Sequence, residues 1–298
     1  MNMTGRILRG VGGLYSIADE SGSITAASAR GIFRKDGQTP TAGDFVHCIE
    51  SGDADVPWRI QQILPRRNFL VRPAVANLDG LVITLSATDP QPDYYLIDKL
   101  LTVCFLNQIE PLLCLTKTDL SEDWRSITAS YRDVGCRIIE TAPDDEESLS
   151  QLHHWITGRV VSFAGQSGVG KSTLLNRLGG DTLMATGLLS TRAGRGRHTT
   201  RHVELFPLAG GFLADTPGFS SMELYELGID GESLVSGYPE IAKMADRCRF
   251  TGCRHLGDLG CAVPGSGIDP DRLQRYRFFR EQLDSINPYA GNKPRSRH

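Results

Sequence analysis

Val160-Val161-Ser162-Phe163-Ala164-Gly165-Gln166-Ser167-Gly168-Val169-Gly170-Lys171-Ser172-Thr173-Leu174-Leu175-Asn176-Arg177-Leu178 decides the fold class. Residues 160–164 read as a buried strand and 173–178 as an apolar helix. Between them, Gly165–Ser172 matches G-x-x-x-x-G-K-S in full. The glycines let the backbone curl so that successive N–H groups point at one phosphate chain, and the helix N-terminus adds partial positive charge. Lys171 is positioned for β/γ-phosphates and the Ser172 hydroxyl for Mg²⁺, with Thr173 just behind them. A Gly-rich turn that binds nothing would not need a strand before it and a helix after it. The motif alone does not choose the base, so adenine and guanine nucleotides both stay open at this step.

Working outward, Leu81–Ser86, Leu112–Leu115, Arg137–Ile139 and Gly211–Ala214 read as further strands. Helical spacing marks Tyr94–Leu106, and a second helix is expected over Trp124–Val134. Strands alternating with helices predict a parallel sheet with crossover helices. Thr116-Lys117-Thr118-Asp119 directly follows one strand. In GTP-binding proteins an N/T-K-x-D segment sits there: the Asp accepts from guanine N1–H and N2–H₂ together, a donor pair that adenine lacks. Thr116 departs from the usual Asn, which puts support of the adjoining loops in doubt. A helix N-cap by Asp119 is the plainer reading. Asp215-Thr216-Pro217-Gly218 ends another strand and is a D-x-x-G element: Asp215 for Mg²⁺ through water, the Gly218 N–H for the γ-phosphate. Asp-x-Pro-Gly is also good turn chemistry. Between the phosphate loop and this element, Thr186–His202 holds four Arg and no acid. Thr200, with Thr199 close behind, is the candidate to complete the Mg²⁺ shell.

These motifs run base selector (116–119), phosphate loop (165–172), switch Thr (199–200), D-x-x-G (215–218). Most GTPases start with the phosphate loop and end with the selector. A parallel sheet tolerates the rearrangement if the old termini are joined and a new break opens at the surface. Glu140-Thr141-Ala142 is then the short loop expected to touch the base through its backbone. Phe219 follows Gly218, where Ras-type enzymes carry a Gln that positions water. Phe cannot do that, so hydrolysis should be slow without a partner. His198 is the nearby residue with suitable acid–base chemistry.

Both flanks differ from the centre. Residues 1–67 hold short apolar stretches broken by Gly12-Gly13, Asp19–Gly22 and Lys35–Gly37, which predicts a small antiparallel barrel, with Gln61–Arg67 as a linker. That segment carries eight basic against seven acidic residues, a weak electrostatic case for RNA. After about residue 229 the pattern is helical and polar. From Asp271 on, seven basic residues face three acidic ones. Of seven Cys, four are isolated and three fall within Cys248–Cys261. Cys248, Cys253, His255 and Cys261 form C-x₄-C-x-H-x₅-C, three thiolates and one imidazole. That donor set closes a tetrahedron around one structural Zn²⁺, although unpaired buried Cys is the alternative. The net charge of −3 over 298 residues excludes a globally basic coat, and no 18-residue apolar run allows a membrane span. The start of the chain has no signal-peptide core, so a cytoplasmic protein is expected. Nothing demands a dimer, and a monomer is expected.

Together the reordered motifs, the N-terminal barrel and the Cys₃His knuckle resemble the small ribosomal subunit biogenesis GTPase A family, circularly permuted bacterial GTPases. Gly196–Thr200 and Arg72–Asp79 add to the likeness. The resemblance implies three parts: an OB-type barrel over 1–67 that binds ribosomal RNA, a permuted α/β GTPase domain over 68–228, and a zinc-binding helical domain over 229–298. It further implies late maturation of the 30S subunit with 16S rRNA as partner. GTP would be hydrolysed to GDP under stimulation by the subunit, with His198 taking part. The residues alone reach only a Mg²⁺-dependent GTPase with a barrel and a zinc knuckle. A zinc-containing RNA-binding protein that uses GTP solely as an assembly switch stays open, as does a P-loop kinase or ATPase in which Thr116–Asp119 is accidental.

Overall fold

The computed structural model describes residues 2–29, 33, 38–185, 203–216, 219 and 223–286. Five strands close a barrel in the order β1-β2-β3-β5-β4: β1 Asn2–Val11, β2 Leu14–Asp19, β3 Ile24–Ala29, β4 Phe45–Glu50 and β5 Trp58–Ile63. Gly12 and Gly13, both at positive φ, make the two-residue turn between β1 and β2. Ile7, Ile17, Ala27, Val46, Cys48 and Ile60 fill the interior. Ile7 and Leu8 are neighbours yet both are buried, because the register slips at a bulge between Ile7 and Arg9. The barrel is not wholly antiparallel: β3 and β5 pair in parallel and close it.

The expected linker over 61–67 is instead part of the fold. Gln61–Ile63 belong to β5, with Ile63 opposite Val46. Arg66 forks onto the fully buried Asp44 at 2.7 Å through both Nε and Nη2. A hairpin follows, β6 Phe69–Val71 and β7 Ala74–Ala76, and the Asn77 amide donates to Gly43 O. Gly43 sits at φ +93°, and a Cβ there would lie 1.9 Å from Ala76 O. Gly43→Ala is therefore expected to lower the melting temperature by several degrees, through both αL strain and backbone overlap. Thermal unfolding followed by circular dichroism checks this; an unchanged midpoint would contradict the close approach.

The α/β part holds β8 Gly80–Ser86, α1 Tyr94–Leu106, β9 Glu110–Thr116, α2 Trp124–Ala129, β10 Arg137–Glu140, α3 Glu146–Ile156, β11 Val160–Ala164, α4 Lys171–Ala185, β12 Glu204–Leu208 and β13 Gly211–Asp215. The strand order of its sheet is β10-β9-β8-β11-β13-β12. Every residue of β8 and β11 is buried, as expected for central parallel strands covered on both faces. The edge strand β12 runs antiparallel to β13 and carries Pro207, a residue that belongs on edges. Helix α2 is shorter than expected. It stops at Ala129, and residues 130–135 turn so that Tyr131 and Val134 are buried, with Tyr131 Oη donating to Asp98 Oδ1 at 2.8 Å.

The C-terminal part contains α5 Gly231–Leu234, α6 Pro239–Ala245 and α7 Pro270–Ser285. By contacts the chain groups into one unit of 1–80, 149–163 and 172–219 and another of 81–148, 164–171 and 220–298. No helix among the described residues is long and apolar enough to cross a membrane.

Candidate nucleotide and metal sites

The loop after β11 has the backbone its sequence predicts. Gly165, Gly168 and Gly170 stand at φ +139°, +84° and +95°. A Cβ on Gly165 would overlap Thr84 O at 2.1 Å, so that position admits only glycine. Lys171 Nζ donates to the Gly165 carbonyl at 2.8 Å and to that of Gln166, curling its ammonium into the loop's own concavity. Ser172 and Thr173 follow at the exposed start of α4. Val169 is fully buried and anchors the loop.

Thr116-Lys117-Thr118-Asp119 comes to the same place from the end of β9. The buried Thr116 Oγ1 reaches Val169 O at 2.6 Å and Leu85 O at 3.1 Å. Thr116 therefore contacts the phosphate loop directly, from the position where Asn is usual. Lys117, at φ +60°, extends its ammonium to Gly168 O at 3.0 Å. Asp119 lies in a 3₁₀ turn, Thr118–Leu120, and is exposed. Its carboxylate caps no helix and has no protein partner among the described residues, which removes the plainer N-cap reading. The Thr118 N–H donates to Thr141 O at 3.4 Å, so Glu140–Ala142 does adjoin the selector.

The sequence did not single out Thr88–Asp93. Lys117 Nζ donates to Asp89 O at 2.5 Å, Gln166 Oε1 accepts from the Asp93 N–H at 3.0 Å, and Asp93 Oδ1 caps α1 through the Leu96 N–H. A run of Asp-Pro-Gln-Pro-Asp right after a buried strand was the available signal. At the end of β13, Asp215 is half-buried, and Thr216 Oγ1 pairs with Ser162 Oγ of β11 at 2.5 Å. Phe219 is buried at 2% exposure, a packing residue rather than one that could orient water. His198, Thr199, Thr200 and Gly218 lie outside the described residues.

Ligand atoms of Cys248, Cys253, His255 and Cys261 all fall within 4.8 Å of one another. His255 Nδ1 is 3.6 Å from Cys248 Sγ and 3.5 Å from Cys261 Sγ. Zinc bonds of about 2.3 Å to sulfur and about 2.05 Å to nitrogen at tetrahedral angles give an S···N edge of roughly 3.5–3.6 Å, so these two edges match that ion. Asp258 Oδ2 gathers the loop, accepting from Cys253 Sγ and from the Arg254 and Leu256 N–H groups. Burial, reinforced by Cys261, Cys248 and Asp258, pushes the metal-free Cys253 thiol up to about 12. Burial also lowers the His255 imidazole, which keeps it neutral and able to ligate.

Among the described residues of the basic C-terminal stretch, three arginines of α7 are turned inward. Arg272, Arg275 and Arg280 are buried. Arg272 and Arg275 pair with Asp98 at 2.6 Å each, and Arg280 pairs with Asp284 at 3.0 Å. Lys293, Arg295 and Arg297 lie outside the described residues.

The family model described as RsgA GTPase matches residues 63–225, and the one described as RsgA N-terminal domain matches residues 4–55. This chain belongs to the RsgA GTPase family. It is a GTP-hydrolysing enzyme, and its α/β part is a circularly permuted GTPase domain behind an N-terminal barrel. It is 42% identical to the small ribosomal subunit biogenesis GTPase RsgA of Ruminiclostridium cellulolyticum over 98% of both chains. Identity to the protein of the same name from Bacillus subtilis is 37%, over 98% of this chain and 99% of that one. Among solved structures it resembles YloQ, described as a circularly permuted GTPase, with TM-score 0.79, 32% identity and 97% of both chains covered. YjeQ from Thermotoga maritima aligns with TM-score 0.79 at 25% identity, over 96% of this chain and all of that one. Membership in this family rules out the P-loop kinase or ATPase reading, since GTP hydrolysis is the family's activity.

Proposed function

We propose that this enzyme binds the small (30S) ribosomal subunit, acts in its late maturation, and hydrolyses GTP to GDP and phosphate with Mg²⁺ under stimulation by the subunit. The observation that carries the nucleotide part is the joint grip of Thr116 and Lys117 on the carbonyls of Val169 and Gly168. This contact supports reading Thr116–Asp119 as the base selector of the same site whose phosphates Gly165–Ser172 would cradle. Gly165–Thr173 would hold the phosphates, Thr116–Asp119 the guanine, and Asp215 and Gly218 the γ-phosphate side. Ser172, Asp215 and Thr200, or Thr199 in its place, would hold Mg²⁺, which when bound neutralises developing phosphate charge. His198 would assist hydrolysis, a role that the buried Phe219 leaves open.

The ribosomal part rests on the names of the full-length relatives. In this reading the barrel over 1–67 meets 16S rRNA, 68–228 is the GTPase domain, and 229–298 is a domain stapled by one Zn²⁺. The protein works as a monomer in the cytoplasm. Steady-state GTP hydrolysis with and without 30S subunits, at low salt so that phosphate contacts persist, tests this. A rate raised at least tenfold by subunits is expected, and His198→Ala should remove most of the stimulated rate. Nucleotide binding with no turnover on the subunit would instead favour a GTP-dependent assembly switch.

A further inference from the structure

The first turn of α1 is held from two sides. On one, its cap residue Asp93 donates its N–H to Gln166 of the phosphate loop at 3.0 Å. On the other stands α7. Arg275 places its guanidinium 5.2 Å from the Tyr94 ring centroid, and its Nε donates to Asp98 Oδ2 at 2.6 Å. Arg272 Nη1 donates to Asp98 Oδ1 at 2.6 Å, and Tyr131 Oη shares that oxygen. Asp98 is fully buried and Arg272 is 1% exposed, so these pairs are little screened by water. An open cleft of about 370 Å³ lies here, lined by Asp93, Tyr94, Asp271, Gln274 and Arg275. Beside it, Tyr95 of the same turn packs edge-on against Phe278 and Phe279 of α7, with ring centroids 4.9 and 5.9 Å apart, so the tie between α7 and this turn joins an aromatic contact to the polar link through Arg275. At its middle, α7 is fixed to the Cys/His loop: Tyr276 Oη donates to Arg254 O and Arg277 Nε to His255 O, both at 3.2 Å.

We propose that Arg275 is a positioning residue for the phosphate loop. Acting on Tyr94 and Asp98, it fixes the first turn of α1, and Asp93 passes that placement to Gln166. Whatever engages the Cys/His loop at the middle of α7 is thereby felt where the nucleotide's phosphates bind. The inference rests on the reading of Gly165–Ser172 as a guanine-nucleotide site and assigns its regulation.

The test is a double-mutant cycle on release of a fluorescent GDP analogue from the full chain, with thermal melting in parallel. Gln166→Ala and Arg275→Met are each expected to change the release rate at least threefold. The double variant is expected to release no faster than the stronger single, because both cut one route. If Arg275→Met does not fold, Tyr94→Leu takes its place in the cycle. Rates that multiply across the cycle, or an Arg275→Met that melts lower yet releases GDP at the wild-type rate, overturn the inference while leaving the proposed function intact. Failure of the wild-type chain to bind the guanine analogue overturns both.

Discussion

Asp119→Asn is expected to abolish tight GTP binding and transfer preference to xanthosine triphosphate. A carboxylate accepting from two guanine N–H groups contributes hydrogen bonds of about 1.5–3 kcal/mol each, so their loss weakens affinity by roughly 10²–10⁴. The carboxamide presents an N–H₂ where guanine also presents donors, which adds repulsion to the lost bonds. Xanthine carries a carbonyl at that position and restores one pair. The exposed Asp119 side chain has no protein partner among the described residues, so the substitution should leave the melting temperature within a degree or two. Titration of both nucleotides against wild type and variant measures the switch. Equal loss for guanine and xanthine would mean that Asp119 does not face the base.

Loss of the proposed zinc from Cys248, Cys253, His255 and Cys261 is expected to have the largest effect on stability. Structural zinc contributes apparent binding energies of about 10–16 kcal/mol in small domains, against a net stability of roughly 5–15 kcal/mol for a whole domain. Wild-type protein should contain one zinc per chain by elemental analysis, and Cys248→Ser with Cys261→Ser should contain none. Limited proteolysis should then cut first between residues 229 and 286. Affinity for zinc should fall as pH falls, because each thiolate must form by losing a proton. The sign follows from Cys253, whose thiol is raised to about 12 without metal and so is protonated at neutral pH. A double-serine variant as protease-resistant as wild type would show the cluster to be dispensable for folding.

Much of the site was legible because it is built from local rules. Gly165–Ser172 bends as read because three of its positions require positive φ, which glycine alone supplies cheaply. The Cys/His spacing closed into a cluster because its turns sit at Gly252, Gly257 and Gly260, all at positive φ. Two α/β elements escaped. Strand β12 is masked by Pro207, which argues against a strand until the position is known to be an edge. Helix α3 opens on Asp145, whose side chain accepts from the Ser148 N–H. Its acidic run, Asp144–Glu147, reads equally as a solvated loop. The pairing of the α7 arginines was not legible, since composition counts charges without saying which are paired.

The motifs, their order along the chain and the ligand set of the Cys/His cluster belong to the sequence, because each depends on residue identity within a few positions. What Thr116 touches, whether Asp119 finds a protein partner among the described residues, and where Arg272 and Arg275 would turn were decided only by tertiary structure. Those outcomes depend on partners 31 to 177 positions away, such as Leu85, Val169 and Asp98. A hydrogen bond or buried ion pair is set by distance in space, which no local spacing encodes.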